Sequence, residues 1–292
     1  MKSIKGRGDS KMNKRKQNIE LKFSDGTVSK IDERVHRLIF SYQREIENLR
    51  KSLPAFYDLA ENISNTGPEL LNFYNFLLKH RDISRSQLFQ DLFVLFIHEM
   101  KTHGTFLEFG ATNGIELSNS LILEREFSWT GVLVEPSPQW HPDLSTNRPD
   151  AVVLDSCVFT ETGRQLDFFV SDAGVLSTLD EFRESDASTM PGNAKVRNKS
   201  GYHCKVMTIS LNDIMSQCFG GKPIDFMSVD TEGSELLILQ EFDFNQYAPK
   251  VVTVEHNFSE NQEKLDALFK DNGYVRYFEK FTQFDAWYVL AR

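Results

Sequence analysis

From residue 105 onward the chain repeats one motif: a short apolar run that ends in a polar or turn residue, followed by a stretch with helical spacing. TFLEFGA, WTGVLVEP, AVVLDSCVF, IDFMSVD and KVVTVEHNF are the runs. IELSNSLILEREF, SELLILQEFDF and SENQEKLDALFKDNG fill most of the intervals. Strands joined through helices need crossover connections, and these build a mostly parallel sheet with both faces covered. Two final strands, GYVRYFEKFTQF and DAWYVLAR, follow each other through a short turn, so one of them is expected to run antiparallel. Residues 164–170 and 205–211 read as extra strands around a polar, Ser-, Gly- and Asn-rich segment of the kind that covers a site.

In front of this region stands a different texture. ELKFSDGTVSK alternates around Asp25-Gly26 and predicts a hairpin. IDERVHRLIFSYQREIENLRKSL places Val35, Leu38, Ile39, Tyr42, Ile46 and Leu49 at helical steps and stops before Pro54. Its stripe packs either on the body or on a second copy of itself, which would make a homodimer. PELLNFYNFLLKH and SRSQLFQDLFVLFIHEMK continue as helices. The expected organisation is a flexible basic tail over 1–17, a hairpin and helical extension over 18–85, and the α/β domain over 86–292.

Charge narrows the partners. Residues 1–17 hold seven Lys or Arg and one Asp, which leaves 26 basic against 41 acidic side chains on the remainder. Such a body repels nucleic acid. Three cysteines without CxxC spacing suggest neither a disulfide framework nor a zinc knuckle, and the chain reads as cytoplasmic. No apolar run reaches the roughly 20 residues of a membrane span, and the start lacks the apolar part of a secretory signal.

In an open parallel sheet, ligands bind beyond the carboxyl ends of the strands. Those ends read Glu108-Phe109-Gly110, Glu135-Pro136, Asp155-Ser156, Asp230-Thr231-Glu232-Gly233 and Glu255-His256-Asn257. The set is acidic throughout. Gly110 and Gly114 let a ligand approach the backbone around Ala111 and Asn113, with Gly114 placed where the next helix is expected to begin. A phosphate would want basic neighbours and a GK[ST] or GxGxxG glycine pattern, which are missing here. S-adenosylmethionine fits better, with its sulfonium, ammonium, ribose hydroxyls and adenine amine. Glu135, 25 residues after Gly110, is placed to accept both ribose hydroxyls.

These stretches also resemble a known family. FLEFGATNGIELSNS, GVLVEPSP, IDFMSVDTEGSELLIL and VVTVEHN are similar to the FkbM-type S-adenosylmethionine-dependent methyltransferases, over residues 86–290, and DTEGSE is the most specific element. The resemblance implies a class I methyltransferase Rossmann-like fold, with a seven-stranded sheet whose last strand is antiparallel and helices on both faces. It also implies O-methylation of a sugar or small natural product. Glu108 and Glu135 match the family's acids after the first and second strands. GATNG stands where the family more often has GANxG.

Methyl transfer needs an acceptor oxygen held in line and relieved of its proton. His256 is the first choice of base, because imidazole titrates near neutrality, with Asp230 and Glu255 beside it. Asp230, Glu232, Glu255 and His256 form an alternative set for Mg²⁺ or Mn²⁺, but their spacing is no metal motif and the metal is not favoured. Glu232, Asn257, Gln87 and Asp91 are candidate acceptor contacts. Glu235 reads as a helix cap, and Trp140 as an adenine stack or a surface aromatic. Two other functions compete: a non-catalytic binding protein that keeps the fold, and a nicotinamide-dependent reductase. The missing third glycine and the absence of a Tyr-x-x-x-Lys pair count against the reductase. DTEG in place of [DN]PP[YF] counts against nucleic-acid amine methylation.

Overall fold

The computed structural model describes residues 67–291, and the backbone of residues 18–22 and 28–32. The basic tail, the Asp25-Gly26 turn and most of the helix expected from residue 31 lie outside the described residues. Strands β1 (Asn18–Lys22) and β2 (Val28–Asp32) pair antiparallel, Asn18 opposite Asp32 and Lys22 opposite Val28. This hairpin belongs to a compact unit of residues 1–61, and the rest of the chain forms a second unit.

The second unit is built on a seven-stranded sheet. Its parallel strands are β3 (Thr105–Phe109), β4 (Thr130–Val134), β5 (Val152–Leu154), β10 (Phe226–Val229) and β11 (Val251–Glu255). They lie in the order β11-β10-β3-β4-β5. Beyond β11, β13 (Asp285–Leu290) runs antiparallel and is flanked by β12 (Tyr274–Tyr277). β10 is buried throughout, as expected of a strand covered on both faces. On one face Leu107, Phe109, Met227, Val229, Val252 and Val254 join a core with helices α6 (Leu211–Cys218), α7 (Glu235–Gln240) and α9 (Asn261–Asp271). Each such side chain contributes about 1.5–3 kcal/mol on burial.

Helices α1 (Pro68–His80) and α2 (Gln90–Ile97) bring an aromatic cluster. Phe73 of α1 is fully buried, stacked on Phe278 and edge-on to Phe93 and Trp287. Helix α1, read from the sequence as part of the extension, thus packs into this unit.

Three expectations change in detail. AVVLDSCVF is not one strand: it breaks at Asp155-Ser156, and Cys157–Phe159 becomes β6 of a separate four-stranded sheet. That sheet has the order β6-β9-β7-β8, with β7 (Gln165–Ser171), β8 (Thr178–Leu179) and β9 (Gly201–Ser210) around its own small core. The polar segment between β7 and β9 carries β8 and a helix, α5 (Pro191–Arg197). Finally, only Leu121–Phe127 of IELSNSLILEREF is helical (α3). The reason is local: Ser118, Asn119 and Ser120 turn their donors onto Glu108 instead of continuing a helix.

Candidate functional site

The carboxyl ends of the parallel strands divide into two halves. On the β3-β4-β5 side, loop amides and loop hydroxyls converge on two buried carboxylates. Glu108 Oε1 accepts the Asn119 amide at 2.7 Å, and Oε2 accepts the hydroxyls of Ser118, at 3.0 Å, and of Ser120. Arg148, fully buried, reaches the same two hydroxyls, the Gly114 carbonyl and Glu124. Both Glu108 oxygens are therefore engaged in closing the loop after β3, and any effect on a ligand passes through that loop.

Gly110, at φ +82°, is bare because β10 passes close by: a Cβ there would lie 2.0 Å from the Asp230 carbonyl oxygen. Gly114 does not open a helix, since α3 begins seven residues later, at Leu121. Its amide donates to Ala111, and its missing Cβ makes room for Arg148 and Leu144. Asn113 Oδ1 accepts the amides of Ile115 and Glu116.

Glu135 is buried, with Oε2 accepting the Thr112 amide at 2.7 Å and Oε1 accepting the Ser137 amide at 2.8 Å. Burial pushes its carboxyl up to about 7 against these hydrogen bonds. Each oxygen keeps one lone pair for a ligand. Beside it the Ser137 hydroxyl is buried without a partner, a polar atom waiting for one. Asp155 is exposed, 3.6 Å from His141 Nδ1, and Pro136 and Ser156 are half-buried along the same rim. Trp140 lies against Gly174.

The β10-β11 side is built from acids. Asp230, Glu232 and Glu255 offer oxygens that all lie within 4.8 Å of one another, a set that could hold a metal ion. Asp230 is raised well above the ordinary carboxylate range by burial and by repulsion from Glu232, Asp285 and Glu235. Glu255 is raised in the same way, chiefly by burial and then by Asp230, and its Oε2 is buried without a partner. Like charges this close keep a proton on the pair. Asp285 stands opposite Glu255 in the sheet register and accepts the Gln90 amide at 2.6 Å. Glu235 caps the DTEG turn, taking the amides of Thr231 and Gly233 and the Thr231 hydroxyl.

His256 lies next to this set, but both of its ring nitrogens are occupied. Nδ1 accepts the Phe258 amide at 3.0 Å, so Nε2 carries the hydrogen and donates to the Asp285 carbonyl at 3.0 Å. Burial and the Arg276 cation lower the ring to about 4. As it stands, the imidazole offers no lone pair to a substrate proton. Asn257 is buried with a left-handed backbone.

Asp91 is fully buried and holds the Ser84 hydroxyl and the amides of Arg85, Ser86 and Leu92, which makes it the organiser of the loop before α2. Gln87 is half-buried in that loop. A small cleft is lined by Ser185, Asp186, Gly233, Glu235, Glu255, His256 and Asn257, among others.

Sequence reasoning did not single out Asp285, Gln90 or Arg197. The signal for Asp285 was present: it opens an antiparallel strand, whose start falls at the same rim as the ends of the parallel ones. Gln90 and Arg197 carried none.

These residues suit S-adenosylmethionine. The open lone pairs of Glu135 and the partnerless Ser137 hydroxyl can meet hydroxyl groups, and the gathered acids of the β10-β11 side favour a cationic ligand. The family profile described as "Methyltransferase FkbM domain" matches residues 108–280, more than half of the chain, and the protein belongs to this family of S-adenosylmethionine-dependent methyltransferases.

Among solved structures, the chain is similar to an FkbM methyltransferase from Methylobacillus flagellatus KT, at 13% identity and a TM-score of 0.40, covering 80% of this chain and 60% of that one. It is also similar to a putative caffeoyl-CoA O-methyltransferase from Staphylococcus aureus, at 12% identity and 0.41, covering 82% and 100%. A third is a precorrin-6y C5,15-methyltransferase from Geobacter metallireducens GS-15, at 10% identity and 0.34, covering 64% and 70%. No curated protein sequence matches the chain. Among the described residues no helix is long and apolar enough to cross a membrane.

Proposed function

We propose that this protein methylates a hydroxyl oxygen of a saccharide or small natural product, with Asp230 and Glu255 taking the proton. The observation that carries this reading is the buried pair itself, whose affinity for protons is raised by burial and mutual repulsion. When bound, S-adenosylmethionine supplies a methyl group on a positively charged sulfur that leaves readily. The ionised member of the pair accepts the hydroxyl proton, a contribution of about 10² to 10⁴-fold. Glu135, with Ser137, accepts the ribose hydroxyls, while Asp155, Pro136 and Ser156 border the adenine. Ala111 and Asn113 carry the backbone beneath the cofactor. Glu108 and Asp91 act through the loops they hold. Glu232, Asn257 and Gln87 are the acceptor contacts of this reading.

A hydroxyl acceptor is favoured over an amine for an electrostatic reason. An acidic pocket keeps an ammonium protonated and so removes its nucleophilic lone pair, whereas a hydroxyl enters neutral. A phosphate-rich acceptor meets repulsion instead of attraction. A divalent ion is disfavoured because one of the three candidate ligands, Glu232, already pairs with a guanidinium at 2.7 Å. Three free cysteines, Cys157, Cys204 and Cys218, support a reducing, cytoplasmic setting. The test is label transfer from methyl-labelled S-adenosylmethionine to a panel of sugars and polyols. An alkali-stable methyl ether is expected; label recovered only on nitrogen, or as a base-labile ester, would refute the assignment.

A further inference from the structure

The chain leaves β11 through His256, Asn257, Phe258 and Ser259, and of these His256, Asn257 and Ser259 line the cleft. Phe258 stands among them at the cleft mouth with 49% of its surface exposed. The turn around it is firmly held. The amides of His256 and Asn257 donate to the Phe284 carbonyl, at 2.8 and 3.1 Å, and the Ser259 amide donates to the His256 carbonyl at 2.8 Å. The Phe258 amide donates to His256 Nδ1 at 3.0 Å. The His256 ring, anchored through Nε2 on the Asp285 carbonyl, meets the Phe258 ring edge-on at 5.6 Å. Phe258 is therefore presented on a fixed support.

Its backbone conformation carries a cost. Asn257 and Phe258 both lie in the left-handed region, at φ +47° and +55°. Asparagine adopts that region readily, whereas a bulky side chain there is an outlier that the surrounding structure has to impose. Phe278, at φ +50°, gains from its ring, which stacks on Phe73 inside the aromatic cluster. The Phe258 ring leaves half of its surface to solvent, although glycine or asparagine would suit the backbone better. A ring held out at a cleft mouth in this way suits the apolar face of a ligand.

The other residues of the lining narrow the kind of ligand. Ser185, Asn257, Ser259 and Asn261 are polar, and Glu255 Oε2 is buried without a partner. A ligand that meets an aromatic face and a polar wall together needs one apolar surface with hydroxyls around it. A pyranose ring has both, with axial C–H groups on its face and hydroxyls at its edge. We propose that Phe258 is a stacking platform for a pyranoside acceptor, whose ring lies over Phe258 while one hydroxyl enters the cleft toward Glu255 and Asp230. The role deepens the methyl-transfer reading and rests on it for the reaction that follows binding.

Saturation-transfer NMR on the full chain without cofactor tests the platform. The probes are methyl β-D-galactopyranoside and methyl β-D-glucopyranoside at millimolar concentration, each beside its acyclic polyol, galactitol or glucitol. The pyranosides should bind, with saturation strongest on the C–H groups of one ring face. The polyols carry more hydroxyls but no fixed face, and should bind at least about tenfold more weakly. Phe258→Ala should weaken pyranoside binding by about tenfold, and Phe258→Trp should retain it. Circular dichroism checks the fold; if Phe258→Ala does not fold, Phe258→Leu keeps an apolar side chain without the ring and carries the same expectation. Pyranosides that fail to bind, that bind no better than the polyols, or that bind a folded ring-less variant as well as the wild type overturn the proposal. Calorimetry with S-adenosylhomocysteine should give the same affinity for the wild type and all variants. Failure of the wild-type chain to bind S-adenosylhomocysteine would instead strike the methyltransferase reading, and the pyranoside comparison would still decide the platform.

Discussion

The two halves of the rim use carboxylates in opposite ways. On the β3-β4 side, Glu108 and Glu135 are bound by backbone amides and serine hydroxyls that come from within 12 residues of each acid or across one strand pair. On the β10-β11 side, Asp230 and Glu255 face other acids, and the cation that pairs with Glu232 comes from α5, between two strands of the separate small sheet. The first arrangement is held by many fixed hydrogen bonds, as the proposed cradle for a constant ligand requires. The second crowds like charges together around one cation, as the proposed proton transfer requires. Binding and chemistry are thus separable by mutation.

The sharpest way to break the comparison is at the seam. Gly110→Val places a side chain against the Asp230 carbonyl, at a backbone angle that valine rarely adopts. The loop after β3 must move off Asp230 to relieve the clash, so cofactor affinity should fall about 100-fold, or about 2.7 kcal/mol, and circular dichroism would confirm that the fold persists. Retained affinity would mean that the cradle is elsewhere.

Next come Asp230→Asn and Glu255→Gln. Each should lower turnover by about 10² to 10⁴-fold and leave S-adenosylhomocysteine binding within about threefold, a difference under 1 kcal/mol. If His256→Gln shows the larger loss of turnover, the imidazole and not the carboxylate pair is the base.

A smaller effect is expected from pH. Glu135 is held at about 7 and Asp285 at about 6, both above their ordinary values. A carboxyl raised in the fold contributes stability below its unfolded value and loses it as pH rises through the folded one. His256, lowered to about 4, works in the opposite sense, losing stability as pH falls from 6.5 toward 4. With several raised carboxyls, among them Asp91, Asp230, Glu232 and Glu255, against two lowered imidazoles, His98 and His256, the melting temperature of the ligand-free chain should rise as pH falls from 8 to about 5.5. A melting temperature that falls over this range would show that the acids are compensated by charges not recognised here.

The smallest effect is expected from chelation. EDTA should leave methyl transfer unchanged, and activity lost in EDTA and restored by Mg²⁺ or Mn²⁺ would place an ion among Asp230, Glu232 and Glu255.

How much of this was legible in the chain follows from the range of the interactions. The strand runs were readable, because burial on two faces writes continuous apolar runs, and an antiparallel strand among the last two was readable from the short turn between them. The placement of Glu135 just after β4 was readable because its spacing from Gly110 is set by one β-α-β unit. The break at Asp155-Ser156 was not, since both halves are strands and only the change of sheet separates them. Arg197 could not have been found, because its partner Glu232 lies 35 residues away and no periodicity marks a buried arginine in a polar segment. His256 was a reasonable base by type and position. Its two ring hydrogen bonds, one to the Phe258 amide and one to the carbonyl of a strand that arrives 29 residues later, are invisible to spacing.

The central claim is that Glu135 grips the ribose of the methyl donor as a carboxylate. Calorimetric titration of S-adenosylhomocysteine into the wild-type chain and Glu135→Gln, at pH 8 and pH 6, tests it directly. Wild-type affinity should weaken by up to about tenfold toward pH 6, as protonation near 7 removes the acceptor charge. Glu135→Gln should bind at least about tenfold more weakly at pH 8, the loss of one charge-assisted hydrogen bond, with little dependence on pH. Equal affinity for the two proteins at both pH values would contradict the account.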